Sequence, residues 1–135
     1  MTLQLTPSIF LDGNANEAIQ FYERALDAKV LFKQTFGEGP ESVPQEAKER
    51  IAHSVLKIGE TELYVDDTFP GQPSQMGDRV QICITAPDVE KSKQLYEALQ
   101  QGGQVIIPLK KMHFSPAFGM VTDKFGVTFQ IFTRR

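Results

Sequence analysis

The sequence predicts an α+β fold in which two paired βαβββ modules enclose a cleft, and three observations predict it. The order strand, helix, strand, strand, strand reads twice along the 135 residues. A shift of 74 residues lays Asn14 on Asp88, Phe21 on Leu95, Tyr22 on Tyr96 and Glu23 on Glu97, the mark of an internal repeat. Between the copies runs a stretch rich in Gly, Pro and polar residues, Thr-Phe-Pro-Gly-Gln-Pro-Ser-Gln-Met-Gly. Module one therefore spans about 1–67, the linker about 68–78 and module two about 79–135, within a single domain. One helix covers only one face of a small sheet, so two such modules can set their open faces together and leave a hollow between them.

The elements follow in order. Leu3 to Leu11 alternates like a strand, with Pro7 marking an edge or a break in the ladder. Asp12-Gly13-Asn14 is a turn with Asn14 as N-cap and Glu17 completing a capping-box-like pair. A helix runs to about Leu26, with Ala18, Phe21, Tyr22, Ala25 and Leu26 on one face. Lys29 to Phe36 is a strand, and the polar stretch from Gly37 to Arg50 reads as a mobile excursion. Ile51–Ile58 and Thr61–Asp66 form a hairpin around Gly59-Glu60. Arg79 to Thr85 is a strand, Asp88 a cap, Val89 to Gln101 an amphipathic helix ended by Gly102-Gly103, and Gln104 to Leu109 a strand. A loop with His113 and Pro116 leads into a final hairpin, cornered by Asp123-Lys124-Phe125-Gly126, whose outgoing strand runs from Val127 to Phe132.

Composition removes several function classes. The net charge is −3 and no basic run occurs, which argues against binding nucleic acid through phosphate neutralisation. At 41% hydrophobic and 23% charged residues the chain is average for a soluble globular protein. No segment approaches the ~20 apolar residues of a membrane span and the N-terminus has no signal-like pattern, so a cytoplasmic protein is expected. The single cysteine, Cys83, excludes a disulfide framework and a thiolate metal cluster, and its apolar strand predicts a small buried hydrophobe.

Polar groups in apolar strands are the candidate site residues. Gln130 stands among Phe129, Ile131 and Phe132, either as a surface residue of a half-exposed strand or as a polar group aimed into a pocket. Sequence parity leaves the choice of face open. His53 shares a face with Val55 and Lys57. It is either a hydrogen-bonded structural imidazole or a ligand-contacting, proton-transferring one, and as such the candidate catalytic residue. Tyr64 offers an aromatic face and a hydroxyl. His113 lies in a loop, where histidines are commonly solvated. No Ser–His–acid or Cys–His set can be assembled.

The segments Phe10-Leu-Asp-Gly-Asn-Ala-Asn-Glu-Ala-Ile-Gln-Phe-Tyr22, Ile51-Ala-His-Ser-Val-Leu-Lys-Ile-Gly59 and Phe118-Gly-Met-Val-Thr-Asp-Lys-Phe-Gly126 resemble the vicinal-oxygen-chelate superfamily of glyoxalase I, bleomycin-resistance proteins and extradiol dioxygenases. More narrowly they resemble its PhnB-like branch, often labelled a demethylubiquinone methyltransferase domain. The resemblance covers essentially the whole chain and implies a glyoxalase-like cleft, usually in a homodimer. It also implies one divalent ion (zinc, nickel, manganese or iron) held by His, Gln or Glu from the first and last strands of each module. The family's final glutamate falls on Gln130, and the histidine seven residues before the helix cap falls on Gln81. The matching count in module one lands on Pro7, and its last position falls near Leu63 or Tyr64. Neutral amides are weak ligands for a divalent ion, so Gln81 and Gln130 make a poor metal set. The resemblance further implies a ligand pocket lined by Tyr64, Gln81, His113, Phe114 and Gln130.

Three functions follow from these residues. The first is a metal-free protein that holds a small ligand between the modules. The second is a metal-dependent lyase, isomerase or dioxygenase acting on a small oxygen-rich substrate. The third is a dimerisation or partner-binding protein with a filled cleft. The weak donor set ranks the metal-free binder first. Methyl transfer draws no support, because no glycine-rich strand-to-helix loop is present to hold a methyl donor.

Overall fold

The computed structural model describes residues 2–135. The chain divides into two units, one ending at Gln75 and one beginning at Met76. Each is a four-stranded sheet with one helix, in the order β-α-β-β-β.

In the first unit the elements are β1 (Ser8–Leu11), α1 (Ala15–Ala25), β2 (Lys29–Thr35), β3 (Ile51–Ile58) and β4 (Thr61–Asp67). The sheet order is β1-β4-β3-β2, with β1 parallel to β4 and the other pairs antiparallel. Ala18, Ile19, Phe21, Tyr22 and Ala25 form the buried stripe of α1. Ile9, Leu11, Leu63 and Val65 are buried from the sheet side. In β4 alternation sends Leu63, Val65 and Asp67 toward α1 and leaves Tyr64 and Asp66 on the helix-free face.

Two expectations from the sequence change in this unit. Strand β1 begins at Ser8 rather than Leu3, and Leu3 and Leu5 are fully exposed. Pro7 supplies only its carbonyl, which accepts from Tyr64 N at 3.0 Å, and pairing starts behind it. Asn14 occupies the N-cap position but its side chain makes no cap bond. Asp67 instead ties the helix start to β4: its Oδ1 accepts from Gly13 N (2.7 Å) and Ala15 N (3.1 Å), and its Oδ2 from Ile51 N (2.8 Å). The excursion 37–50 is held at its base, where Phe36 N donates to Arg50 O and Gly37 N to Lys48 O, both at 2.9 Å. It contains two short 3₁₀ turns, Phe36–Glu38 and Gln45–Ala47, and Ala47 is buried.

The second unit contains β5 (Ile82–Ala86), α2 (Val89–Leu99), β6 (Gln104–Met112), β7 (Ser115–Thr122) and β8 (Thr128–Thr133). Its sheet order, β5-β8-β7-β6, has the same single parallel pair, β5 with β8. Here the expected cap forms, Asp88 Oδ1 accepting from Lys91 N at 2.8 Å. The final corner is also as read: Asp123 Oδ1 accepts from Phe125 N (2.9 Å) and Val127 N (3.0 Å), and Gly126 takes φ 88°. Thr133 reaches α2 through Ser92, with 2.5 Å between the hydroxyl oxygens, so Phe129, Ile131 and Thr133 face the helix. Gln130 and Phe132 face away.

Three further readings change in the second unit. Strand β5 starts at Ile82 rather than Arg79, which leaves Gln81 just outside it. His113 and Phe114 form the tip of a hairpin between β6 and β7, not a loop, and Pro116 lies inside β7. Pro116 is tolerated because pairing of β7 with β8 begins only at Phe118, while Ser115 Oγ serves Thr133 N and O at 3.0 and 2.9 Å. Cys83 is exposed rather than buried, because it stands on the helix-free face beside Gln130. No helix among the described residues is long and apolar enough to cross a membrane.

The two faces of β8 carry unequal energetic weight. Ile131 is 0% exposed; Ile131→Ala is expected to lower unfolding free energy by about 2–5 kcal/mol in urea denaturation. Gln130→Ala, on the open face, is expected to stay within about 0.5 kcal/mol. Equal effects at the two positions contradict the assignment of faces.

Candidate functional site

The helix-free face of the first sheet carries a histidine–carboxylate pair set among aromatic rings. Its geometry begins with Ser54, whose Oγ takes over ladder bonds to β4 by accepting from Val65 N at 3.2 Å and donating to Val65 O. This frees Ser54 N, which donates to Asp66 Oδ1 at 2.7 Å. The other oxygen, Asp66 Oδ2, lies 3.1 Å from His53 Nδ1. An ionised carboxylate only accepts, so Nδ1 carries the proton and Nε2 of a neutral ring is left as an acceptor. The Asp66 side chain is 6% exposed and that of His53 41%. A sheltered anion thus orients an imidazole that remains open to solvent. The ring lies edge-on to Tyr64, with centroids 4.8 Å apart, and is tilted against Phe32 at 6.1 Å.

The helix-free face of the second sheet carries an amide pair. Gln130 Nε2 donates to Gln81 Oε1 at 2.9 Å, and Gln81 Nε2 donates to Asp78 O at 3.3 Å. Phe132, two residues along β8 on the same face, stacks on Phe114 with centroids 6.2 Å apart and planes 9° from parallel. Phe114 also meets Phe118 and His113 edge-on, each at 5.1 Å. His113 is exposed, and its carbonyl accepts from Arg135 Nη2. The Cys83 thiol pKa is raised, chiefly by desolvation, against a smaller lowering from a hydrogen bond with Thr85.

The structure therefore joins His53 to Tyr64, Gln81 to Gln130, and His113 to Phe114. Asp66 and Phe32 are the contacts that sequence reading did not attach to His53. The signal for Asp66 was present as two adjacent aspartates ending a strand, directly after Leu63, Tyr64 and Val65. Phe32 carried none, since only strand pairing brings it near β3.

The divalent ion implied by the resemblance does not fit this donor set. Gln81 and Gln130, at the second unit's expected ligand positions, are neutral amides joined by one hydrogen bond, and Pro7 in the first unit has no side-chain donor atom. Among the described residues no three His, Cys, Asp or Glu side chains group so as to hold a metal ion.

The chain is similar to known proteins over nearly its whole length. The family described as 3-demethylubiquinone-9 3-methyltransferase matches residues 3–132. Protein YjdN of Escherichia coli (strain K12) is 30% identical over 140 residues, spanning 96% of this chain and 94% of that protein. The crystal structure of protein PA1353 from Pseudomonas aeruginosa is 29% identical with a TM-score of 0.90, covering 98% of each chain. A glyoxylase/bleomycin resistance protein/dioxygenase domain from Frankia sp. EAN1pec shares the fold, with a TM-score of 0.71 at 16% identity over 100% of this chain and 99% of that one.

The carboxylate beside His53 has a direct readout. In alkaline solution the His53 ring of the wild-type protein is expected to show the Nδ1–H form in ¹⁵N spectra. Asp66→Ala is expected to shift it toward Nε2–H and to cost about 1–3 kcal/mol by leaving Ser54 N unpaired. A wild-type ring already in the Nε2–H form overturns the orientation given above.

Proposed function

The chain belongs to the family described as 3-demethylubiquinone-9 3-methyltransferase, the PhnB-like branch with the vicinal-oxygen-chelate fold, and on that premise we propose that it binds a small organic molecule without a metal ion. The observation that carries this reading is the Gln81–Gln130 pair, two amides standing where the superfamily pattern asks for metal ligands. Amides offer both donors and acceptors, which suits hydrogen bonding to the oxygens of a ligand, and the stacked Phe114 and Phe132 rings beside them offer an apolar surface. Methyl transfer is not part of the proposal. The two strand-to-helix turns, Asp12-Gly13-Asn14 and Pro87-Asp88, contain one glycine between them and form no phosphate- or nucleoside-cradling loop.

A second reading, acid–base catalysis on the bound molecule, draws on His53. With Nδ1 held by Asp66, Nε2 is placed to accept a proton from a ligand hydroxyl or activated C–H. Turnover that His53→Gln abolishes while binding persists would establish it.

Thermal denaturation against a library of small oxygen-bearing aromatic molecules tests the binding reading. A ligand present at 100 times its Kd stabilises the folded protein by about 2.7 kcal/mol. That stabilisation is expected to be unchanged by chelator and lost in Gln130→Ala. One equivalent of a transition metal in protein purified without affinity metal, absent from Gln130→Ala, would replace this reading with the metal-dependent enzyme. The homodimer implied by the resemblance belongs to the same proposal; light scattering is expected to give twice the 15.1 kDa chain mass.

A further inference from the structure

A second feature of the first unit has no part in the site above. The excursion between β2 and β3, together with the turn after β4, encloses a cavity of about 390 Å³. One wall is the Phe36–Phe69 ring pair, centroids 5.9 Å apart and planes at 58°. Pro40 and Pro44 line it from the excursion. Three polar residues line it: Gln34 from the end of β2, and Glu41 and Ser42 from the excursion.

The walls are held in place. Thr35 and Glu38 close a capping box at the entry to the excursion, and the Phe36–Arg50 and Gly37–Lys48 backbone bonds close its base. Arg50 then reaches across the fold. Its Nη2 donates to Thr68 O and Oγ1, both at 2.9 Å, and its Nη1 to Asp12 Oδ1 at 3.1 Å. Thr68 Oγ1 in turn donates to Gln72 O at 2.6 Å, fixing the turn that presents Phe69. Aromatic and proline walls on a tied frame, with no cationic side chain among the lining residues and one carboxylate, match a planar apolar body bearing a positive charge.

We propose that this cavity is a binding site for an aromatic organic cation, such as an arylalkylammonium ion, with its ring against Phe36 and Phe69 and its ammonium paired with Glu41. The site is built from the first unit alone and is independent of the metal-free reading of Gln81 and Gln130.

Three indoles that carry a cationic, a neutral and an anionic 3-substituent test it: tryptamine, 3-methylindole and indole-3-propionate. The chain contains no tryptophan, so indole fluorescence reports the probe without background. Tryptamine is expected to bind about fivefold tighter than 3-methylindole, and indole-3-propionate at least about fivefold weaker than 3-methylindole. Glu41→Gln is expected to bring tryptamine and 3-methylindole to the same affinity. Phe69→Ala, at a ring 62% exposed and so tolerated by the fold, is expected to weaken all three by about tenfold. Amide shifts on tryptamine binding are expected in residues 34–44 and 69–70. Equal affinity for the three probes, shifts confined to other residues, or no saturable binding overturns the proposal.

Discussion

Much of the first unit depends on the carboxylate of Asp67. Its two oxygens collect three backbone N–H groups from three places: the turn before α1, the first residue of α1 and the first residue of β3. Each of these donors sits where regular structure has no partner to offer, at a helix start or a strand start. One buried anion at the end of β4 therefore sets where the helix begins and where its neighbouring strand enters the sheet. Asp66, one residue earlier and on the opposite face, takes up Ser54 N and orients His53. The scaffold and the candidate site thus share one dipeptide, with alternation assigning one carboxylate to each.

The second unit meets the same topological corner with neutral chemistry. Thr133, ending β8, exchanges hydrogen bonds with Ser92 on α2, with Ser115 and with the carbonyl of Ala117. The helices of the two units, Ala15–Ala25 and Val89–Leu99, stand at the same 74-residue shift that the sequence displayed. The strands do not follow it in their facing. Ile9 and Leu11 point toward α1, as Ile84 and Ala86 point toward α2, an offset of one more residue. The cause is the connection into the helix, three residues after β1 and two after β5. By facing, the counterpart of Gln81 is Thr6 rather than Pro7, and that of Gln130 is Tyr64.

This offset shows what a sequence of this kind discloses. Periodicity exposed both helices and the hairpins, and Asp123 and Gly126 announced the final corner, because each of those signals is local. Asn14 looked like a cap on local grounds, yet the backbone donors on either side of it, Gly13 N and Ala15 N, are held by a carboxylate 53 residues away from it. The excursion at 37–50 looked loose because its ties to Arg50, Lys48 and Thr68 are contacts between segments with no periodic pattern. Cys83 and Gln130 shared one ambiguity, the facing of a strand apolar on both sides, which only the position of α2 resolves. His53 was legible as a candidate, whereas its orientation by Asp66 depends on the Ser54 substitution in the ladder.

Strands β2 and β6, the antiparallel margins of the two sheets, both pair irregularly. Register breaks fall between Val30 and Phe32 and between Gln34 and Thr35 in β2, and at three places along β6, which also contains Pro108. Lys29 and Lys33 punctuate the first margin, Lys110 and Lys111 the second. A backbone so kinked and charged is a poor template for a foreign β-strand. The chain can leave Leu31 and Phe32 half in water at such a border without inviting end-on growth into fibrils.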